Sequence, residues 1–324
     1  MSIELLMVIG FCLAAYSIVA NDVPQTLGTF ISSNSHRPWW VLWLYTSIIL
    51  IVVLFYGWWA SGIGDASYGR LETIPFPESG ITWLYIVPPA ILLVLTKYGI
   101  PVSTTFLVLT IFSPASLSSM LVKSVMGYAV AFIAALVVYR LVMKALTIHF
   151  YKTQDQEHAK YWVALQWLST AFLWSQWLIQ DLANIFVYVP RAVPLEFMSF
   201  AVLTFVVLLG IVFYQRGGAI QNIVDTKTGV TDIRAATIID FIYAFILLIF
   251  KEWSNIPMST TWVFLGLLAG REFAISMYIN AVSSRHTSRN VSKDSMKLLF
   301  GLIMSIILAT CLPWLYQFIS QYTG

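Results

Sequence analysis

The sequence predicts an all-α integral membrane protein built from two inverted-topology repeats of about five crossings each, with broken helices near the bilayer midplane. Three observations predict it. First, of 324 residues 59% are hydrophobic and only 10% charged, with a mean hydropathy of +0.80. Soluble globular chains run at about 45–50% apolar and about 25% charged. This composition excludes a soluble enzyme, a disordered chain and a nucleic-acid binder. Second, apolar runs alternate with short polar breaks, and at about 20 residues per span there is room for roughly ten crossings. Third, two polar motifs recur at nearly one spacing.

The elements follow in order. The first span runs from Ile3 to Ala20 and stops at Asn21-Asp22-Val23-Pro24. No Lys or Arg precedes this apolar run, so it reads as a span rather than a cleaved signal peptide. The second runs Trp39 to Ala60, followed by a polar loop, Ser61 to Gly80, carrying Asp65, Arg70, Glu72 and Glu78. The third is Ile81 to Thr96, broken at Lys97 to Pro101. A shorter apolar piece, Val102 to Phe112, precedes a span from Ser124 to Tyr139, bracketed by Lys123 and Arg140. After the polar stretch Thr147 to Lys160 the order repeats. Spans run Tyr161 to Ile179 and Leu195 to Tyr214, then Ala235 to Phe250 after the loop Gln215 to Arg234. A break at Lys251 to Pro257 precedes an apolar piece, Met258 to Ala269, interrupted by Gly270-Arg271-Glu272. A basic loop, Ser283 to Lys297, leads to the last span, Leu298 to Ile319.

Pro101-Val102-Ser103-Thr104-Thr105 recurs as Pro257-Met258-Ser259-Thr260-Thr261, with Ser103 and Ser259 standing 156 positions apart. Asp22 with Gln25 recurs as Asp181 with Asn184, the aspartates 159 positions apart. The chain therefore divides into a first repeat over 1–150 and a second over 158–324. An odd number of crossings per repeat makes the second half enter from the opposite side. With both termini outside, 13 of the 18 Lys and Arg residues fall on the inner side, including Arg37, Arg140 and the basic stretch from Arg285 to Lys297. The positive-inside bias supports that orientation. Short loops and the lack of a targeting extension point to a bacterial inner membrane.

The chemistry concentrates in these motifs. Proline is tolerated in a first helical turn, so Pro101 and Pro257 are expected to open short helices at membrane depth. A piece from Pro101 to Phe112 would be about 18 Å long, a half-span against a hydrocarbon core of about 30 Å. Helix N-termini suit anions, and the hydroxyls of Ser103, Thr104, Thr105, Ser259, Thr260 and Thr261 add donors without charge. Two such starts facing each other would cradle a tetrahedral oxyanion; the plainer reading is that the hydroxyls cap and pack helices. Asp22 with Gln25 and Asp181 with Asn184 share helix faces at i, i+3. A charge at bilayer depth costs about 2.5–3.5 kcal/mol, which a cation site, a proton-carrying carboxyl or a substrate contact would justify. Gly28-Thr29 suggests a turn with close backbone approach. Arg271-Glu272 reads as a self-neutralised pair. Cys12 and Cys311 read as small hydrophobes, and His36, His149, His158 and His286 lie in polar stretches without metal-ligand spacing. Trp39-Trp40 and Trp58-Trp59 fit interfacial aromatic belts.

At these residues the chain resembles the inorganic phosphate transporter (PiT) family of cation-coupled symporters. The likeness is carried by Ala20-Asn21-Asp22-Val23 with Gly28-Thr29, by Asp181-Leu182-Ala183-Asn184, and by the two Pro-x-Ser-Thr-Thr runs. The family pattern has Asn-Asp-x-Ala-Asn in each half. Here the first copy continues Pro24-Gln25 and the second begins Gln180-Asp181, and Phe106 and Trp262 stand where a histidine often follows. The resemblance implies phosphate bound between the halves by Asp22, Gln25, Ser103, Thr104, Thr105, Asp181, Asn184, Ser259, Thr260 and Thr261. It implies a coupling sodium ion near Asn21, Asp22, Asp181 and Asn184, or a proton instead, with no other cofactor.

The expected function is therefore cation-coupled symport of inorganic phosphate, by a non-enzymatic protein in the lipid bilayer, with a homodimer compatible and no nucleic-acid partner. Sulfate or another oxyanion is the nearest alternative. Phosphate can donate a hydrogen bond to a carboxylate near neutral pH and sulfate cannot, so two aspartates favour phosphate. A transport-dead receptor or sensor is the alternative of a different class.

Overall fold

The structure is a computed structural model. It describes residues 3–100, 102–141, 160–218, 220–221 and 233–278, with scattered positions between 296 and 318. The described residues hold α-helices with π and 3-10 turns and no strand. In chain order these are α1 (Ile3–Ser33), α2 (Trp39–Ala60) and α3 (Trp83–Lys97). A π-helical turn, Thr105–Leu109, continued by Thr110–Phe112, forms α4. Then come α5 (Leu117–Leu141), α6 (Lys160–Asp181), the short α7 (Ala183–Phe186), α8 (Leu195–Tyr214), α9 (Ile233–Trp253) and α10 (Thr260–Tyr278). Five helical stretches are long and apolar enough to cross a membrane: Glu4–Ser33, Trp39–Ala60, Pro114–Arg140, Leu195–Tyr214 and Ile233–Trp253. The protein is an integral membrane protein. The polar stretch Thr147 to Lys160, apart from Lys160, and the loop Ser283 to Lys297, apart from Met296, lie outside the described residues, as do His149, His158, His286 and Pro101.

Two of the expected spans, Trp39 to Ala60 and Leu195 to Tyr214, have the observed boundaries. Three expected breaks are corrected. Helix α1 does not stop at Asn21–Pro24 but runs on to Ser33, with Pro24 and Gly28-Thr29 inside it. A proline leaves a backbone carbonyl unpaired in the turn before it, and inside a membrane protein neighbouring groups can re-satisfy the ladder. The carbonyl freed by Pro24 is that of Ala20; one residue on, the Gln25 side-chain amide donates to the Asn21 carbonyl at 2.9 Å. Helix α5 starts at Leu117, so Lys123 lies within it. Helix α10 runs unbroken through Gly270-Arg271-Glu272. Gly266 and Gly270 lie one turn apart on α10, and a Cβ at either would overlap the backbone carbonyl of Tyr128 or Phe132 on α5. Gly270 thus permits close helix packing and does not end the helix.

Packing follows a matched pattern. Helix α1 packs on α3 as α6 packs on α9, and α1 packs on α8 as α6 packs on α2. Side-chain donors tie neighbouring helices together. Trp174 Nε1 donates to the Thr46 carbonyl at 3.0 Å and Trp43 Nε1 to that of Val206 at 2.8 Å. Trp174 stacks on Trp177 at 4.9 Å, both buried. Trp40 and Trp59 do face outward, at 53% and 73% exposure. Their neighbours Trp39 and Trp58 turn inward, Trp58 donating to the Val193 carbonyl, because adjacent helical residues point about 100° apart.

Candidate functional site

The site forms where α1, α4, the α6–α7 junction and the start of α10 meet. The two Ser-Thr-Thr runs do the same work at their helix starts. Neither helix is opened by its proline. Ser103 accepts from the Phe106 N–H at 3.2 Å, and Ser259 accepts from the Trp262 N–H at 3.3 Å. Both are serine N-caps, satisfying a donor that the first helical turn leaves free. The helices therefore begin just after these serines, and α4 is shorter than the expected half-span. The third residue of each run reaches into the other half. Thr105 donates to the Met258 carbonyl at 3.2 Å, and Thr261 donates to the Val102 carbonyl at 3.3 Å. The accepting residue is in each case the one just before the capping serine. The middle residues serve the aspartates: Thr104 donates to Asp22 at 2.8 Å, and Thr260 stands beside Asp181.

Asp22 and Asp181 are both buried, and Thr104 links them, donating to Asp22 and accepting from the amide that also holds Asp181. Asn184 bridges the set, donating to Asp181 at 2.7 Å, to Thr104 at 3.2 Å and to Thr105 at 3.3 Å. The i, i+3 pairing expected of Asp181 and Asn184 is thus formed. That of Asp22 and Gln25 is not: the Asp22 carboxylate takes Asn21 Nδ2 at 2.6 Å instead. Asn21 also donates to the Val102 carbonyl at 3.0 Å. Gln25 is buried beside this cluster with its Oε1 unpartnered, as are Oδ2 of Asp181 and Oδ1 of Asn184. Ser259 is tied to α5 as well, its N–H donating to Ser124 Oγ at 2.9 Å. Asp22, Thr104, Thr105, Asp181, Asn184 and Thr260 are therefore drawn into one cluster. Ser103, Ser259 and Thr261 border it as caps and tethers.

Sequence reasoning missed two supporting cations. Arg70 belongs to the polar loop Ser61 to Gly80, yet it is 1% exposed. It donates to the Ile179 carbonyl at 3.1 Å, to the Asn255 and Ile256 carbonyls at 3.4 and 3.3 Å, and to Gln180 Oε1. Burial pulls its guanidinium down to about 10, against the opposing pull of the Asp181 charge, so it stays cationic at neutral pH. Lys123, buried within α5, donates to the Ser254 and Ile256 carbonyls at 2.6 and 2.7 Å. Both grip the segment leading to Ser259. Gln180, a departure from the family pattern, faces Arg70 and the Leu247 carbonyl rather than the cluster. A polar loop residue buried by its acceptors carries no periodicity that would reveal it.

The groups around the two carboxylates are donating hydroxyls and amides and accepting carbonyls. Among the described residues no group of three or more His, Cys, Asp or Glu could hold a metal. Oxygen ligands with few charges fit a hard cation and not a transition metal. The arrangement can therefore hold a small cation on carboxylate and amide oxygens next to donors suited to an anion.

No family model and no curated protein matches the sequence. Among solved structures the fold is similar to one described as "The sodium-dependent phosphate transporter", with a TM-score of 0.60 and 16% identity. The match covers 98% of this chain and 100% of that one. The two folds thus correspond over essentially the whole length of both chains.

Proposed function

We propose that this chain is a secondary transporter that moves inorganic phosphate across a membrane by symport with a cation, sodium or a proton. The observation that carries the reading is the reciprocal pair of serine-capped, threonine-bearing helix starts beside two buried aspartates. A fold shared with a sodium-dependent phosphate transporter supports it. On this reading the chain is a divergent relative of the family its motifs resemble.

The helix starts at Thr104 and Thr260 offer N–H groups and the positive end of a helix dipole to an anion. Thr104, Thr105 and Thr260 add hydroxyls, and Asp22 and Asp181 accept from a protonated phosphate oxygen, which sulfate cannot supply. The coupling cation sits on Asn21, Asp22, Asp181 and Asn184, where the free oxygens of Asp181 and Asn184 supply coordination. Cation binding offsets the repulsion between the two carboxylates and so favours the anion, which links the two solutes. The matched packing of α1 on α3 with α6 on α9 supports a duplicated arrangement whose halves, inverted, rock about the site.

The test is radiolabelled phosphate uptake into proteoliposomes, with and without inward sodium and proton gradients, and with unlabelled sulfate as competitor. Gradient-stimulated uptake that sulfate leaves untouched is expected. Uptake unchanged in both Asp22→Asn and Thr104→Val would overturn the assignment of the site. No uptake under either gradient would overturn the function.

A further inference from the structure

A third carboxylate lies buried outside this cluster. Asp240, on α9, is 1% exposed. Its Oδ1 accepts from Thr29 of α1 at 2.5 Å and its Oδ2 from Thr170 of α6 at 2.7 Å. Thr29 is seven residues beyond Asp22, about 10 Å along the helix. From here polar side chains continue in one direction. Ser33 follows Thr29 by one turn and donates to its carbonyl at 2.7 Å. Gln166, one turn before Thr170, donates to Ser33 at 3.0 Å and accepts from Asn34 at 2.9 Å. Asn34 in turn accepts from Arg37, whose guanidinium lies 5.4 Å over the Trp167 ring at the end of the line.

We propose that Asp240 takes up a proton from water and returns it to water during transport. The inference rests on the transport reading above and adds a proton-carrying group to it. Three features carry it. The carboxylate accepts from two neutral hydroxyls, and among the described residues it has no ion-pair partner. A lone charge at bilayer depth costs about 2.5–3.5 kcal/mol, which a bound proton removes. The two threonines can also serve both charge states. Facing a carboxylate they donate. When a proton adds to Oδ1 or Oδ2, the new O–H donates to a threonine oxygen, and that hydroxyl turns its own hydrogen onto the helix carbonyl four residues back. Release reverses both moves, and no hydrogen bond is lost in either state. A metal cation would find two carboxylate and two hydroxyl oxygens here, fewer than the six or so that hard cations take.

The other titratable or charged groups on the elements packed against this one are Glu4, Cys12, Tyr16 and Asp22 on α1, Lys160, Tyr161 and Asp181 on α6, Arg234, Tyr243, Lys251 and Glu252 on α9, Lys123, Tyr128, Tyr139 and Arg140 on α5, and Arg271, Glu272 and Tyr278 on α10. His36 and Arg37 lie at the end of the polar line. None of these donates to or accepts from the Asp240 carboxylate among the described residues.

Infrared difference spectroscopy of the full chain in liposomes, taken across pH, tests the proton itself. A carboxylic C=O band that titrates in the wild type and is missing in Asp240→Asn is expected, together with a shifted midpoint in Thr170→Val. In proteoliposomes, stimulation of phosphate uptake by an inward proton gradient should be lost in Asp240→Asn and restored in Asp240→Glu. Should Asp240→Asn fail to fold, the shifted band of Thr170→Val decides. A band that persists in Asp240→Asn, one unmoved by Thr170→Val, or proton stimulation intact in Asp240→Asn overturns the proposal, as does uptake driven by sodium with no proton movement. If the wild type moves no phosphate at all, the transport reading fails, and the infrared arm still decides whether Asp240 binds a proton.

Discussion

Replacing Arg70 with methionine should loosen the site without touching it. Methionine has similar length and no donors. It leaves the Ile179, Asn255 and Ile256 carbonyls and Gln180 Oε1 without the guanidinium that now satisfies them. A buried acceptor left unpaired costs about 1–3 kcal/mol. Two of these four bonds are long and share one nitrogen, so they count as about one. Against this, a buried guanidinium no longer has to be desolvated, which returns several kcal/mol. The net expectation is a loss of about 2–4 kcal/mol, or roughly 3–6 °C in melting temperature for a chain of this size. Lysine should rescue only in part, because a single ammonium cannot span acceptors on α6 and on the segment before α10. The assay is thermal unfolding of the detergent-solubilised protein for Arg70→Met, Gln180→Ala and the double variant. A coupling of about 1–3 kcal/mol between the two positions is expected. Wild-type melting of Arg70→Met, or strict additivity with Gln180→Ala, would refute the view that Arg70 clamps the two site-bearing segments together.

Three further outcomes follow from the geometry. Thr104→Val, which keeps shape but removes the donor to Asp22, should lower phosphate uptake about tenfold or more, since a hydrogen bond to a charged group is worth about 1.5–3 kcal/mol, while Thr104→Ser keeps most of it; initial rates in proteoliposomes decide. Gly270→Val forces a branched side chain against the Phe132 carbonyl, and should destabilise by about 1–3 kcal/mol or more, seen as a lower melting temperature and yield. Trp59→Phe should reduce fluorescence quenching by brominated lipid, and Trp174→Phe should not, because Trp59 is 73% exposed and Trp174 1%.

The parts legible in the sequence were those written as periodicity or as repetition. Uninterrupted apolar runs between clear polar ends fixed α2 and α8 to the residue. The duplicated Ser-Thr-Thr and Asp-x-x-amide patterns led to the cluster, because a polar motif repeated in so apolar a chain needs a shared role. Local rules failed where distant groups decide. Pro24 signals an end to a helix, but packing on α3, α6 and α8 carries α1 past it. Gly270-Arg271-Glu272 looks like a break and is a contact surface against α5. Arg70 looks like a loop charge, and Asp240, with no counterpart motif, gave no signal at all. Its threonine partners lie 211 and 70 residues away, a pairing that only the folded chain reveals.

The crossed bonds from Thr105 to Met258 and from Thr261 to Val102 also restrict how the two halves can move. Each runs from one half to the other, in opposite senses, between equivalent positions. On the transport reading, any rearrangement that parts Val102 from Met258 must break both bonds together, so the contact should open or close as a unit, and loss of either threonine hydroxyl should loosen it.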